Sequence, residues 1–253
     1  MTMLVHTHFT TRLGGVSQPP YDSLNLGAHV GDDPDAVREN RARVATQLNL
    51  DPARFIWMDQ VHSATVRVVN AADLGAPISA TDAVVTTDPT VVLTVMVADC
   101  VPVLLYDADA GVIAAAHAGR TGARNGVVSN TVATMVELGA NPDNMTAHLG
   151  PAASGRRYEL PREMAEDVEE HLPGSLTRTD QGTWGSDVRA GLARQLTTLG
   201  VGNIVMDPRC TIEDSNLFSY RRDGKTGRQV GIIWGGIENL LANYKTFDIH
   251  RVS

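Results

Sequence analysis

Hydrophobic and polar positions follow two different periods along this chain. Short aliphatic runs bounded by polar or glycine positions predict β-strands at residues 82–87, 91–98, 101–107, 111–119 and 145–151. Apolar residues at helical spacing predict a helix that opens at Asp33-Pro34, because Asp33 can cap the free amides and proline fits the first helical position. The same spacing predicts further helices over residues 123–138, around 164–172 and over 188–199.

Two other stretches complete the predicted elements. Alternation near the start predicts an edge strand that carries His6 and His8, and residues 217–236 resemble a hairpin with a polar turn. Strands and helices come in mixed order, with no strict βαβ alternation, no linker and no internal repeat. We therefore predict an α+β fold with mixed β-sheets, formed by a single domain over residues 1–253.

Composition excludes several function classes. A formal net charge of −8 argues against general nucleic-acid binding, which requires a basic face. Two cysteines make no disulfide framework and indicate a reducing compartment. The first residues lack a basic segment followed by a long apolar one, and no apolar run reaches the ~18 residues that span a bilayer. We expect a cytoplasmic protein that binds neither nucleic acid nor membrane.

Three residues that bind metals or carry out nucleophilic chemistry stand at predicted strand ends. Cys100 and His117 each follow an aliphatic run, and His62 begins or immediately precedes another strand. Two histidines and one cysteine with an open fourth position form a ligand set of catalytic zinc. Two alternatives stay open from the pattern alone. Cys100 could be a small buried hydrophobe, or it could be a nucleophile paired with a histidine that Asp99 or another carboxylate orients.

Candidate anion-binding residues surround this trio. The glycine-rich turn from Gly119 through Arg120 to Gly122 precedes a predicted helix, so its free amides could face a phosphate, although an ordinary strand-to-helix turn has the same pattern. Arg12 could bind an oxyanion through two hydrogen bonds, or it could be a solvated surface charge. We interpret a further basic cluster as a solvated turn; it comprises Arg221, Arg222, Lys225 and Arg228.

Seven stretches of the chain together resemble one known family. They are FTTRLGGVS, YDSLNLGAHVGDDPDAVRENR, WMDQVHSATV, ADCVPVLLYD, AAAHAGRTG, GPAASGRRYEL and CTIEDSNLFSYRRDGKTGR. They occur here in the order found in the multicopper polyphenol oxidase (laccase-domain) family, also called the YfiH (DUF152) or purine nucleoside phosphorylase/peptidoglycan editing factor family. The resemblance covers roughly residues 8–235.

The resemblance implies a fold, a metal and an activity. The fold would be a layered α/β/β/α arrangement of mixed sheets, similar to cysteine hydrolases of the cytotoxic-necrotising-factor type. The metal ligands of the family fall on His62, Cys100 and His117, with zinc as the usual metal and copper as the alternative. Members are assigned phosphorolysis of adenosine, inosine and methylthioadenosine, together with adenosine deamination, whereas some are described as peptidoglycan editing factors.

The chain departs from the family pattern in two places. Arg120-Thr121 stands where relatives have Trp-Arg, and arginines precede Tyr158 where relatives have a cysteine. The first change removes an aromatic ring that could stack on a base, so substrate preference is in question while metal binding is expected to persist.

We expect a zinc-dependent enzyme acting on a purine nucleoside and phosphate, as a monomer or small homo-oligomer. Asp99 is the nearest carboxylate in sequence for proton transfer, and Arg12 with Gly119, Arg120 and Gly122 would seat phosphate. The alternatives are a cysteine hydrolase with Cys100 as nucleophile and His117 as base, a peptidoglycan-precursor editing factor, a copper-dependent polyphenol oxidase, and a non-enzymatic ligand-binding protein.

Overall fold

A computed structural model describes residues 2–236 of the chain. The single domain predicted over residues 1–253 also includes position 1 and positions 237–253, which lie outside the described residues. The strands are β1 (Leu4–Phe9), β2 (Phe55–Ile56), β3 (Val66–Val68), β4 (Ala83–Thr86), β5 (Val92–Val97), β6 (Val101–Asp107), β7 (Val112–Ala118), β8 (Thr146–Leu149), β9 (Leu176–Arg178), β10 (Trp184–Ser186), β11 (Asn203–Met206) and β12 (Gln229–Gly236). The α-helices are α1 (Pro34–Gln47), α2 (Arg120–Arg124), α3 (Val127–Glu137), α4 (Arg162–His171), α5 (Val188–Thr198) and α6 (Tyr220–Asp223).

The strands form two large mixed sheets and one small hairpin. The six-stranded sheet has the order β11-β8-β6-β7-β4-β3, the four-stranded sheet has the order β1-β12-β5-β2, and β9 pairs with β10. Each large sheet combines parallel and antiparallel pairs. In the six-stranded sheet β3 and β4 are parallel while β6 and β7 are antiparallel, and in the four-stranded sheet β2 and β5 are parallel while β12 and β5 are antiparallel. The mixed sheets are confirmed, and β1, which carries His6 and His8, lies at a sheet edge as predicted.

The two large sheets pack face to face and carry helices on their outer faces. Buried Leu104 and Ile113 of the six-stranded sheet meet Leu93 and Ile233 of the four-stranded sheet. Helices α3 and α5 pack on the outer face of the six-stranded sheet, and α1 packs on that of the four-stranded sheet. The inner strands β4, β5, β6 and β7 are therefore buried on both faces, which produces continuous aliphatic runs rather than alternation. The layered α/β/β/α arrangement and the α+β fold class are confirmed.

Local signals placed some element boundaries well. Helix α1 begins at Pro34, and the side chain of Asp33 accepts a hydrogen bond from the amide of Asp35 at 2.9 Å. The helix predicted over residues 123–138 is instead divided into α2 and α3, because the chain turns at Gly126 with φ +86°. Only glycine adopts this conformation without strain. Gly126 therefore interrupts the helix, and the spacing of apolar residues does not reveal the interruption.

The predicted hairpin over residues 217–236 is wrong. Ser219 caps the short helix α6 by accepting a hydrogen bond from the amide of Arg222, and only Gln229–Gly236 forms a strand. That strand pairs with β1 and β5. The buried side chain of Gln229 exchanges two hydrogen bonds with the backbone of Phe218, at 2.7 and 3.0 Å. A side-chain amide thus satisfies backbone groups that a strand ladder would otherwise pair.

Candidate functional site

Antiparallel pairing of β6 with β7 brings Cys100 close to His117. Val101, the first residue of β6, lies opposite Ala118, and Pro102 lies opposite His117. Cys100, directly before β6, therefore lies at the same end of these two strands as His117, near the end of β7. Asp99, directly before Cys100, has φ +100°, an uncommon conformation for a residue with a side chain, and reverses the chain between β5 and β6.

His62 lies at the same end of the strands, on a loop whose backbone is hydrogen-bonded to one carboxylate. The side chain of Asp82 accepts hydrogen bonds from the backbone amides of Val61 (3.2 Å), His62 (3.0 Å) and Ser63 (2.7 Å). His62 itself has φ +61°. Asp82 is fully buried and immediately precedes β4, the strand that pairs with β7. The loop is consequently tied to the strand beside His117.

The same carboxylate orients His117. Nδ1 of His117 lies 2.8 Å from Oδ1 of Asp82, which leaves Nε2 of His117 to face Cys100 and His62. The candidate ligand atoms of His62, Cys100 and His117 all lie within 4.8 Å of one another. The two imidazole rings meet edge to face with centroids 4.8 Å apart. One buried residue thus positions two of the three clustered side chains.

The cluster holds charge even without a metal. Burial raises the pKa of the Cys100 thiol, but the charge of His117 and hydrogen bonds from both histidines outweigh burial and lower that pKa to about 6. Burial lowers the pKa of His117, but the Cys100 thiolate and Asp82 raise it to about 9. Burial opposes ionisation of Asp82, whose pKa nevertheless falls to about 2 through hydrogen bonds from His117 and Ser63. Cys100 and His117 are accordingly a thiolate–imidazolium pair near neutral pH.

The donor set suits zinc or copper. Bond lengths of about 2.0–2.3 Å in a tetrahedral zinc site separate its ligand atoms by about 3.3–3.8 Å. The candidate ligand atoms, which lie within 4.8 Å of one another, would move closer by at most about 1.0–1.5 Å to reach that spacing. A thiolate and two imidazoles are soft or borderline donors, which magnesium and calcium do not favour. The carboxylate on the far nitrogen of His117 matches the partner that metal-bound histidines ordinarily have. Three protein donors leave a fourth position for water or substrate.

Gly119 has a packing role beside these ligands. A Cβ at this position would lie 2.8 Å from Nδ1 of His62 and 2.9 Å from Sγ of Cys100, and one at Gly122 would lie 2.8 Å from the carbonyl oxygen of Ser63. Both contacts are too close for any side chain, so α2 can approach the cluster only with glycine at both places. Arg120 begins α2 and does not line the cavity described next. The predicted phosphate seat at this turn stays a prediction.

The cluster opens into a cavity of about 550 Å³. Its second side, which we call the loop wall, is formed by Tyr158, Tyr220, Arg221 and Arg228. The rest of the lining includes polar His29 and Gln60, the strand residues Met96 and Val97, and Ala98 and Asp99 directly after that strand. A cavity of this size, with a few polar groups converging in it, is typical of small-molecule sites.

Asp99 lines the cavity, but its carboxylate already has partners. Oδ1 accepts a hydrogen bond from the hydroxyl of Thr211 and Oδ2 accepts one from the amide of Arg221, both at 2.6 Å. The carboxylate therefore fastens α6 to the turn that carries Cys100. Proton transfer by Asp99 stays a prediction.

Arg12 lies elsewhere. Its guanidinium forms ion pairs with Asp22 at 3.1 Å and Asp223 at 3.8 Å, and it stacks on Phe218. Arg12 does not line the cavity, so its placement gives no support to phosphate binding.

The basic cluster predicted as a solvated turn divides into different environments. Arg222 is held by backbone carbonyls, among them those of Thr211 (2.8 Å) and Leu217 (2.7 Å), whereas Arg221 and Arg228 face the cavity. The interpretation of these four residues as solvated is corrected for Arg222 and Arg228, which are partly buried, whereas Arg221 and Lys225 are exposed.

Sequence reasoning missed Asp82 and most of the loop wall. Asp82 lies between an aliphatic run and a polar loop, a place where carboxylates are common, and its spacing from His62 and His117 is not diagnostic. Tyr158 lies in a loop, Tyr220 begins α6 and Arg228 directly precedes β12, and the three converge only in the fold.

Residues 6–236 match the family model described as multi-copper polyphenol oxidoreductase laccase. The chain belongs to this family. A Corynebacterium glutamicum protein named purine nucleoside phosphorylase is 60% identical over 227 residues, covering 89% of this chain and 92% of that protein. Among solved structures, the Bacillus licheniformis hypothetical protein YfiH is 32% identical with a TM-score of 0.86, covering 92% of this chain and 96% of that one. A Neisseria meningitidis protein of family DUF152 is 38% identical with a TM-score of 0.81, covering 92% of this chain and 99% of that one.

The family name and the names of these relatives bear out the resemblance found from motifs. They also show that the replacement of Trp-Arg by Arg120-Thr121 does not take the chain out of the family. Among the described residues, no helix has the length and apolar character needed to cross a bilayer.

Proposed function

We propose that this protein is a zinc-dependent purine nucleoside phosphorylase. The observation that carries the proposal is the cluster of His62, Cys100 and His117, which opens into a cavity large enough for a nucleoside. The name of the 60% identical relative supports the choice of substrate class. Inorganic phosphate is the second substrate, and its oxygen would form a bond to C1′ of the ribose as the C1′–N9 bond breaks and the purine takes up a proton.

His62, Cys100 and His117 would hold the zinc ion, which would supply a Lewis acid and lower the pKa of a water in its open position. The protein's own groups set the geometry around it. Asp82 fixes the rotation of the His117 ring and the backbone that carries His62. The aromatic faces of Tyr158 and Tyr220 are surfaces on which a purine can stack. Arg221, packed 4.7 Å over the ring of Tyr158, fixes that ring.

Adenosine deamination is the second activity we assign to this cavity. A three-donor site with an open position is the arrangement that catalytic zinc uses to activate water. Water would add at C6 of the purine and ammonia would leave, so adenosine would yield inosine. We place both reactions in the cytoplasm, because a free thiol such as Cys100 persists in a reducing compartment.

A cysteine hydrolase is the competing function, and a specific observation favours it. Asp82, His117 and Cys100 form a chain of hydrogen-bonded groups in which the thiolate is the nucleophile and the imidazolium the acid. A copper-dependent oxidase is compatible with the same donors. Both alternatives predict activity without zinc.

One experiment separates these functions. Protein stripped of metal and reloaded with zinc or with copper is incubated with adenosine, inosine or methylthioadenosine, with and without phosphate, and the purine products are quantified. The proposal expects phosphate-dependent release of free base from the zinc protein alone. If the protein is fully loaded with zinc and turns over no nucleoside, the proposed phosphorylase activity is wrong. Activity on an acyl or peptidoglycan-precursor substrate that survives chelation but disappears on thiol alkylation would establish the hydrolase instead.

A further inference from the structure

The loop wall carries a guanidinium without an acidic partner. Within residues 2–236, no carboxylate lies within ion-pair distance of Arg228, whereas Arg12 and Arg222 both pair with Asp223. Arg228 is half-buried and lines the cavity that contains Cys100 and His117. The negative charges of Cys100 and Asp99 act on Arg228 without forming an ion pair with it. Its guanidinium is therefore available to contact an anionic ligand directly.

The backbone and stem of Arg228 are fixed before any ligand arrives. Its amide donates to Oδ1 of Asn25 at 2.9 Å. Its Cγ lies where a side chain at position 27 would be, only 2.8 Å from a Cβ placed on Gly27. The aliphatic part of the Arg228 side chain is therefore packed against Gly27. Little side-chain entropy remains to be lost when the guanidinium binds a ligand.

The hydrogen bonds of the guanidinium leave one edge free. Nη1 donates to the carbonyl oxygens of Thr226 (3.0 Å) and Gly227 (2.9 Å), which are neighbours in the chain. Nε and Nη2 have no acceptor among the described residues. These two nitrogens form the fork that binds two oxygens of a carboxylate or phosphate at once.

We infer that Arg228 seats the phosphate group in this cavity, with Nε and Nη2 contacting its oxygens. This inference rests on the proposed function for the source of the phosphate, but the oxyanion site itself does not depend on turnover. It replaces Arg12 and the turn at Gly119–Gly122 as the phosphate contact, because neither Arg12 nor Arg120 faces the cavity.

Direct binding of inorganic phosphate to the zinc-loaded protein tests the inference. Calorimetry compares the wild type with Arg228→Met and Arg228→Lys. The matched control is Arg43→Met, whose arginine is a surface residue of α1 paired with Glu39. Loss of a two-point charged contact should weaken phosphate binding by at least about tenfold in Arg228→Met, with partial retention in Arg228→Lys and no change in the control. A thermal melt of each variant establishes that it is folded.

Steady-state kinetics sharpen the result. Arg228→Met should raise KM for phosphate about tenfold or more and leave KM for the nucleoside within about threefold, a split that a general loss of structure would not produce. Unchanged phosphate binding in a folded Arg228→Met protein overturns the inference, as does a wild type that binds no phosphate in any form.

A second arm uses a nucleoside monophosphate in place of inorganic phosphate. Binding of the monophosphate alone, lost in Arg228→Met, would support Arg228 as the phosphate contact while placing the phosphate on the substrate. If inorganic phosphate binds through Arg228 but no nucleoside is cleaved, the oxyanion site stands and the proposed phosphorylase activity fails. The two claims are therefore distinguishable.

Discussion

The two sides of the cavity are built in different ways. The ligand wall, His62, Cys100 and His117, is attached to strand ends or to a loop that a buried carboxylate holds. The loop wall, Tyr158, Tyr220, Arg221 and Arg228, comes from loops and a four-residue helix that meet only in the folded chain. A rigid wall suits the geometry of a metal site, and a wall of loops can vary between relatives without disturbing it.

Removal of the thiolate should have the largest effect on this arrangement. In Cys100→Ala, two imidazoles remain, so zinc affinity should fall at least about 100-fold and nucleoside turnover should be lost. Metal content after dialysis against a weak chelator and product formation are the measurements. Cys210→Ala is the control, since Cys210 is buried away from the cavity and accepts a hydrogen bond from the amide of Ser154. Full zinc content in Cys100→Ala would contradict the assignment of ligands.

Asp82→Asn tests whether the rigidity of the ligand wall comes from one carboxylate. The amide cannot reproduce every hydrogen bond that Asp82 accepts, so zinc affinity should fall by about 10- to 100-fold. Unfolding should also become easier, by about 1–3 kcal/mol. Competition with a coloured chelator measures the first and thermal melting the second. An affinity equal to that of the wild type, together with a lower melting temperature, would reduce Asp82 to a purely structural residue.

In the metal-free protein, the thiolate–imidazolium pair of Cys100 and His117 predicts how the reactivity of Cys100 depends on pH. Because the pKa of Cys100 is lowered to about 6, its thiolate persists above that pH and is lost as the pH falls through about 6. Alkylation of Cys100 by iodoacetamide should therefore vary little between pH 7 and 8 and decline steeply below about 6, and zinc should protect the thiol. Mass spectrometry of the modified peptide follows the rate. A rate that rises steadily up to pH 9 would show an ordinary thiol.

The smallest effect is expected from restoring the residues that relatives have beside the ligand wall. Arg120 does not line the cavity, and its charge acts on Asp167 of α4. Arg120→Trp with Thr121→Arg should therefore change KM for the nucleoside by less than about threefold, because residues that touch neither substrate nor ligands contribute little to binding. Steady-state kinetics with adenosine and phosphate check this. A more than tenfold decrease in KM for the nucleoside would mean that the tryptophan contacts the substrate.

Prediction from sequence succeeded where the cause is local. Asp33-Pro34 opens α1 because the cap and the proline act on adjacent residues, and residues 101–107 coincide with β6 because a strand buried on both faces is aliphatic throughout. It failed at residues 217–236, where a polar segment was interpreted as the turn of a hairpin. The partners of β12 are β1 and β5, more than 100 residues away in the chain, and no local pattern specifies them.

The same distinction applies to the site. His62, Cys100 and His117 are suggested by residue type and by their position at strand ends, and the family motifs select them from the alternatives. Asp82 and Arg228 are ordinary residues in sequence. The role of Asp82 arises from its 2.8 Å contact with His117, and that of Arg228 from a cavity-facing guanidinium that forms no ion pair within the described chain.

By itself, the sequence determined the α+β class with mixed sheets and the exclusion of a disulfide framework, because these depend on short-range periodicity and residue type. Residue type also suggested His62, Cys100 and His117 as candidate metal donors, and the resemblance to the family implied the layered arrangement. The tertiary structure alone decided that one carboxylate holds two of the three candidate ligands, that Gly119 must lack a side chain, and that Arg228 rather than Arg12 faces the cavity. Such features depend on distances between residues remote in the chain, and these distances are set by packing of the whole domain.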